Sequence, residues 1–142
     1  MQQPFTIERI FNAPVSDVWA ALTQKELMKE WYFDLAEFKP EVGFKFEFTG
    51  GPTPERQYLH VCEILEVIPE KKLKHSWSYD GYEGNSILTF ELFAEGDKTK
   101  LVLTHEGLET FPASNPDFAL SNFAEGWTYI IHTSLENFLT KK

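Results

Sequence analysis

Polar and apolar residues alternate along most of the chain, and the period of the alternation changes three times. In FTIERIF, Phe5, Ile7 and Arg9 point one way and Thr6, Glu8 and Ile10 the other, which predicts a strand. The strand ends at Asn12-Ala13-Pro14. Pro14 then opens a helix, where its missing N–H costs little. Val18 and Leu22, spaced i, i+4 with Trp19 beside them, give that helix an apolar face. Thr23-Gln24-Lys25-Glu26 reads as a capping box that restarts a second short helix at about Gln24. Leu27, Met28 and Trp31 face inward from it.

Beyond Pro40 the period becomes two. GFKFEFTG puts Phe44, Phe46 and Phe48 on one face and Lys45, Glu47 and Thr49 on the other. A breaker-rich GGPTPE loop leads into the long strand RQYLHVCEILEVI, closed by Pro69. Leu73, His75, Trp77 and Tyr79 then share a face, and Asp80-Gly81 is a hairpin signal. Leu88, Phe90 and Leu92 share the face of the next strand, and Leu101, Leu103 and His105 that of the last. The short connections predict an antiparallel meander over residues 43–107.

The final third returns to helical spacing. Asn115 suits an N-cap and Pro116 the first helical position. Phe123, Trp127, Ile130, Ile131, Ser134, Leu135 and Phe138 recur on one face. One long helix over 116–140 follows, with Lys141 and Lys142 at its negative end. Gly126 interrupts it, and a mid-helix glycine marks close approach or a bend. The architecture is α+β, a long curved antiparallel sheet wrapped around a C-terminal helix, with two short helices after the first strand. Residues 1–142 read as one domain.

Composition narrows the function classes. The 142 residues are 42% hydrophobic and 15% aromatic, with 13 Phe and 4 Trp, which argues for a packed core. A net charge of −9 repels phosphate backbones and anionic headgroups, so nucleic-acid and membrane-surface roles lose ground. Cys62 is the sole cysteine, so no internal disulfide forms, which suits a reducing compartment. The N-terminus lacks the basic and apolar regions of a signal peptide, and no apolar run is long enough to span a bilayer. A cytoplasmic monomer or homodimer is expected.

Three segments carry a family likeness. NAPVSDVWAALTQKELMKEWYF, EVIPEKKLKHSW and EGWTYIIHTSLENFL occur in that order and cover nearly the whole chain. The chain resembles the bacterial single-domain relatives of the heat-shock-protein-90 ATPase activator, within the START-like, birch-pollen-allergen-like superfamily. The resemblance implies a helix-grip fold with an internal pocket between sheet and helix. It also implies that Trp31, Trp77 and Trp127 surround that pocket. Superfamily members bind lipids, hormones or polyketides, and a few catalyse, so one fold does not fix one function. The eukaryotic activator makes its main chaperone contact through a separate N-terminal domain, for which no segment is expected here.

The candidate chemistry is mostly aromatic. Trp19 reads as core. On a core-facing strand, His75, Trp77 and Tyr79 put a polar tip at every second position, an uncommon choice for plain packing. The alternative is a partly solvated strand end. The candidate ligand-binding set is Trp31, Phe46, Phe48, His75, Trp77, Tyr79, Phe90, His105, Trp127 and Ile131. The expected occupant is an unidentified small apolar or amphipathic molecule. Two other readings stay open: a minimal co-chaperone that contacts the heat-shock ATPase, and a cyclase- or hydrolase-like enzyme with His75 or His105 as general base. No metal and no cofactor is expected. His60 and Cys62 share a strand face but no Cys-x-x-Cys or His-x-x-x-His pattern occurs. No Gly-x-Ser-x-Gly elbow occurs either, and the carboxylates Glu63, Glu66, Glu91 and Glu106 read as solvated strand faces.

Overall fold

The computed structural model describes residues 4–32, 35, 37–112 and 114–140, without the side chains of 52 and 53. Strand β1 (Phe5–Phe11) is followed by helices α1 (Val15–Thr23) and α2 (Lys25–Trp31). Strands β2 (Lys45–Thr53), β3 (Arg56–Ile68), β4 (Lys72–Tyr79), β5 (Ser86–Glu95) and β6 (Lys98–Glu106) form the meander. The antiparallel sheet has the order β1-β6-β5-β4-β3-β2, so the first strand closes on the last and β2 forms the other edge.

Burial follows the period-two pattern. Along β4 the buried positions are Leu73, His75, Trp77 and Tyr79, with half-buried residues between them. Leu88, Phe90 and Leu92 on β5, and Leu101, Leu103 and His105 on β6, complete the inner face. The register sets cross-strand rows: His105 opposite Leu88, Leu88 opposite His75, and His75 opposite Ile64. Side chains in one row touch because directly paired residues lie about 5 Å apart.

The first helices differ from expectation in two details. Thr23 does not cap α2. It is the last residue of α1, and its hydroxyl donates to the Trp19 carbonyl at 2.7 Å. Gln24 stands at the N-cap without a side-chain bond. The threonine bonds back one turn along its own helix, a local alternative open to any helical Ser or Thr. Pro14 sits one position earlier than expected, at the N-cap, where its carbonyl accepts from Asp17 and Val18.

The C-terminal region departs further. Asn115 does accept from the Asp117 N–H at 3.0 Å, but it caps a single 3-10 turn, Pro116–Phe118. Ala119 is extended, and helix α3 begins at Leu120 and runs to Tyr129. Phe118 explains the break. It is buried among Tyr58, Tyr79, Tyr82 and Phe111, with ring centroids 4.6–5.6 Å away, and a continuous helix would turn it elsewhere.

Beyond α3 the chain widens into a π-helical segment, Ile130–Leu135, and returns to α-helix as α4 (Glu136–Thr140). The buried residues Trp127, Ile131, Leu135 and Leu139 repeat every fourth position. On a regular α-helix that repeat drifts by about 40° per step. The wider π turn counters the drift and keeps the stripe on the sheet. Ser134 donates to the Trp31 carbonyl at 2.6 Å, and Arg9 meets Glu136 at 3.0 Å, so the tail is tied to α2 and β1. Lys141 and Lys142 lie outside the described residues.

Gly126 does not mark a close approach. A Cβ built there meets no atom within 4 Å outside the helix itself. Nor does the helix depart from α geometry at Gly126, since the π segment starts at Ile130. Gly126→Ala should therefore raise stability by about 1 kcal/mol, the helix-propensity difference. Urea denaturation reads this directly, and a loss of stability would place Gly126 against a wall that the structure lacks.

Candidate functional site

Space between sheet and helix is concentrated at one end. An open cleft of about 620 Å³ lies where the ends of β3 and β4 face the 3-10 turn and α3. Its walls are Trp77 and Tyr79 from β4, His60 from β3, and Phe123, Trp127 and Ile130 from the helix. Gly126 gives the cleft part of its room, since no side chain projects from that position of α3. A smaller space of about 210 Å³ shares Gly51, His60, Tyr79 and Asp117 with it.

Deeper in, the structure is filled. Trp31, Phe46, His75 and Phe90 surround a void of only about 10 Å³. Rings occupy that interior: Phe46 packs edge-on against His75 at 5.1 Å, and Trp31 stacks on Tyr32 at 5.0 Å. Of the ten candidate residues, Trp77, Tyr79 and Trp127 meet at the cleft. Phe48 is stacked on His60 at 4.4 Å, and His105 and Ile131 are wholly buried. Arg56, His60, Asp117, Asn122, Phe123, Glu125, Gly126, Tyr129 and Ile130 also line the cleft. Arg56 and Asp117 lie 61 residues apart, and no local sequence signal links them.

The buried polar tips are organised as a chain. The Trp127 indole N–H donates to His105 Nδ1 at 3.1 Å. His105 Nε2 lies 2.7 Å from Ser86 Oγ, and Ser86 Oγ donates to the Trp77 carbonyl at 2.8 Å. The serine has only one hydrogen and gives it to the carbonyl, so Nε2 carries the proton and Nδ1 is the acceptor. His105 is thereby fixed as one neutral tautomer. Burial, with His75 nearby, lowers its pKa to about 3. Protonation of Nδ1 would set two N–H groups against each other. With that lone pair taken, His105 has no free nitrogen with which to act as a general base. His75 donates through Nδ1 to the Ser76 carbonyl at 2.8 Å and does not line the cleft. Burial lowers its pKa to about 4.

The rim is charged. Arg56 forms a forked pair with the Asp117 carboxylate, at 3.0 and 3.3 Å. Tyr58 donates to the same carboxylate at 2.6 Å and accepts from the Asn115 amide at 3.2 Å. The Tyr58 bond, helped by Arg56, lowers the Asp117 pKa, and the same bond raises that of Tyr58. Glu125 lines the cleft from α3 with no cation paired to it among the described residues. Cys62 is buried, which pushes its thiol up and leaves it unreactive. No group of three or more His, Cys, Asp or Glu is placed to hold a metal ion among the described residues. No described helix is long and apolar enough to cross a membrane.

A six-stranded antiparallel sheet closed over a C-terminal helix, with two short helices after the first strand, defines a helix-grip, START-like protein. Residues 12–140 match the family described as activator of Hsp90 ATPase homolog 1-like protein, and the chain belongs to that family. It is similar in structure to protein MLL2253 from Mesorhizobium loti, with 27% identity and a TM-score of 0.78, covering 99% of this chain and 98% of that one. It is also similar to CalU16 from Micromonospora echinospora, at 26% identity and a TM-score of 0.73, over 96% and 75% of the two chains. DynU16, described as a putative protein in the dynemicin biosynthetic locus, shares the fold at 18% identity and a TM-score of 0.78, and this chain spans 48% of it. No curated protein sequence matches the chain.

Two outcomes follow from the buried network. Trp127→Ala should cost about 3–5 kcal/mol in urea melts, since it opens a cavity and strands His105 Nδ1. A loss below about 1 kcal/mol would mean that the helix is anchored elsewhere. The second outcome concerns pH. Burial lowers the pKa of His60 and His75 to about 4 and that of His105 to about 3, while the unfolded chain takes up these protons near 6.5. Stability is therefore full above 6.5 and falls as the pH drops below it, because only the unfolded state binds the protons. The urea midpoint should fall between about pH 6.5 and pH 5, a window above the ordinary carboxylate range. A flat midpoint across that window would overturn the neutral burial of these imidazoles.

Proposed function

We propose that the protein binds a small apolar or amphipathic molecule, without covalent chemistry, in the open cleft between the end of β4 and α3. The observation that carries this reading is the cleft itself. At about 620 Å³, with walls of Trp77, Tyr79, Phe123, Trp127 and Ile130, it has the size and lining of a small-molecule site. The filled interior around Trp31, Phe46, His75 and Phe90 serves as its rigid floor. His105, with both ring nitrogens engaged, positions Trp127 and does not act on the ligand.

A naphthalene-type fluorescent dye tests the reading, because an apolar site recognises area more than identity. The dye should bind with micromolar affinity. Gly126→Leu should abolish binding by filling the cleft from the helix side, while Lys74→Ala on the outer sheet face should leave it unchanged. Undiminished binding to Gly126→Leu, or no saturable binding to the unaltered protein, would remove the proposal.

A second reading, contact with a heat-shock ATPase, draws on the family's name and on a second open groove of about 730 Å³ at the far end of the sheet. Ile68 and Phe93 line that groove and are 40% and 48% exposed. If this groove meets the chaperone, the protein should change the ATPase rate of a bacterial Hsp90 homologue, and Phe93→Glu should cancel the change.

A further inference from the structure

One sheltered hydroxyl at the cleft has a hydrogen that no described residue accepts. The Tyr79 oxygen accepts from the Trp77 indole N–H at 2.9 Å. A phenol also has one hydrogen to give. Four other sheltered hydroxyls place theirs on protein atoms: Ser86 on the Trp77 carbonyl, Thr99 on the Ala13 carbonyl, Thr23 on the Trp19 carbonyl, Tyr58 on Asp117. Among the described residues no acceptor takes the Tyr79 hydrogen, although the residue is 7% exposed and lines both the cleft and the adjoining space. The cleft is open, so solvent accepts that hydrogen until an occupant displaces it, and an occupant without an acceptor there would strand the donor at a cost. Burial pushes the phenol pKa up, and the hydrogen stays in place at any physiological pH.

The charges decide what bears that acceptor. Glu125 and Asp117 line the cleft, the Arg56 fork is closed on Asp117, and the chain carries a net charge of −9. A carboxylate entering the cleft would be desolvated beside the Glu125 carboxylate, while the Arg56 charge is already shared with Asp117. A cation would leave the Tyr79 hydrogen without an acceptor. We propose that the cleft takes an uncharged ring compound bearing an acceptor oxygen, a ketone or quinone carbonyl being best suited, and that Tyr79 donates to that oxygen. The rings then lie along Phe123 and Ile130. This inference rests on the binding reading above and names the class of ligand for the same site.

Three naphthalenes of similar shape test it: 2-acetylnaphthalene, the alkene 2-isopropenylnaphthalene, and 2-naphthoate. Each is titrated by calorimetry into the unaltered protein and into Tyr79→Phe. The ketone should bind more tightly than the naphthoate. Tyr79→Phe should weaken the ketone about ten-fold, the effect of stranding one buried acceptor, and should leave the alkene equally or more tightly bound. A ketone and an alkene that respond alike to Tyr79→Phe, or a naphthoate that binds tighter than the ketone, would overturn the inference while leaving the binding reading intact. Binding of none of the three would remove both. If Tyr79→Phe does not fold, the infrared carbonyl stretch of 2-acetylnaphthalene bound to the unaltered protein decides. A stretch lower than in alkane solvent supports the hydrogen bond, and an alkane-like stretch overturns it.

Discussion

The structure depends on satisfying a row of polar-tipped rings that the sheet has buried. Once β4 turns His75, Trp77 and Tyr79 inward, each nitrogen and oxygen needs a partner away from water. His75 meets that need at the Ser76 carbonyl and the Trp77 indole at the Tyr79 oxygen, while a second chain of bonds runs from Trp127 through His105 and Ser86 to the Trp77 backbone carbonyl. That chain also sets the position of the helix, because Trp127 is the only one of these groups that the sheet does not hold. The helix stripe of Trp127, Ile131, Leu135 and Leu139 then supplies the apolar packing that holds the arrangement closed.

The position of the cleft follows from that anchoring. Aromatic rings fill the centre of the sheet, so the open space between sheet and helix is pushed to one end. There the helix begins late, because Phe118 is drawn into the cluster of Tyr58, Tyr79 and Phe111. The 3-10 turn that results brings Asp117 to Arg56 and Tyr58 and forms the polar rim. Gly126, with no side chain, leaves the opposite wall open. A single packing decision at Phe118 therefore shapes both the room in the cleft and its charge.

This arrangement separates two uses of aromatic residues. Trp31, Phe46 and Phe90 act as filler, and their burial stabilises the fold by removing apolar area from water. Trp77 and Tyr79 do the same while keeping polar atoms at the edge of an open space. A buried ring set of this kind is rigid, so a ligand would meet preformed walls and lose little affinity to reorganisation.

The sequence by itself determined the architecture. Alternation fixed which residues of β1, β2, β4, β5 and β6 face inward, because a strand has no other way to bury one face, whereas β3 shifts register between Ile64 and Glu66. The i, i+4 stripe at Trp127, Ile131 and Leu135 fixed the gripping helix. The polar tips at His75, Trp77 and Tyr79 already marked β4 as unusual. Only the tertiary structure decided where those tips point and what partners they take. The Thr23 hydroxyl was spent on Trp19, the helix started at Leu120 rather than at Pro116, and Arg56 met Asp117 across 61 residues of chain. The physical reason is range. Periodicity and capping are read from neighbours along the chain, whereas a cleft is the volume left after distant side chains have packed, and one ring such as Phe118 can move it.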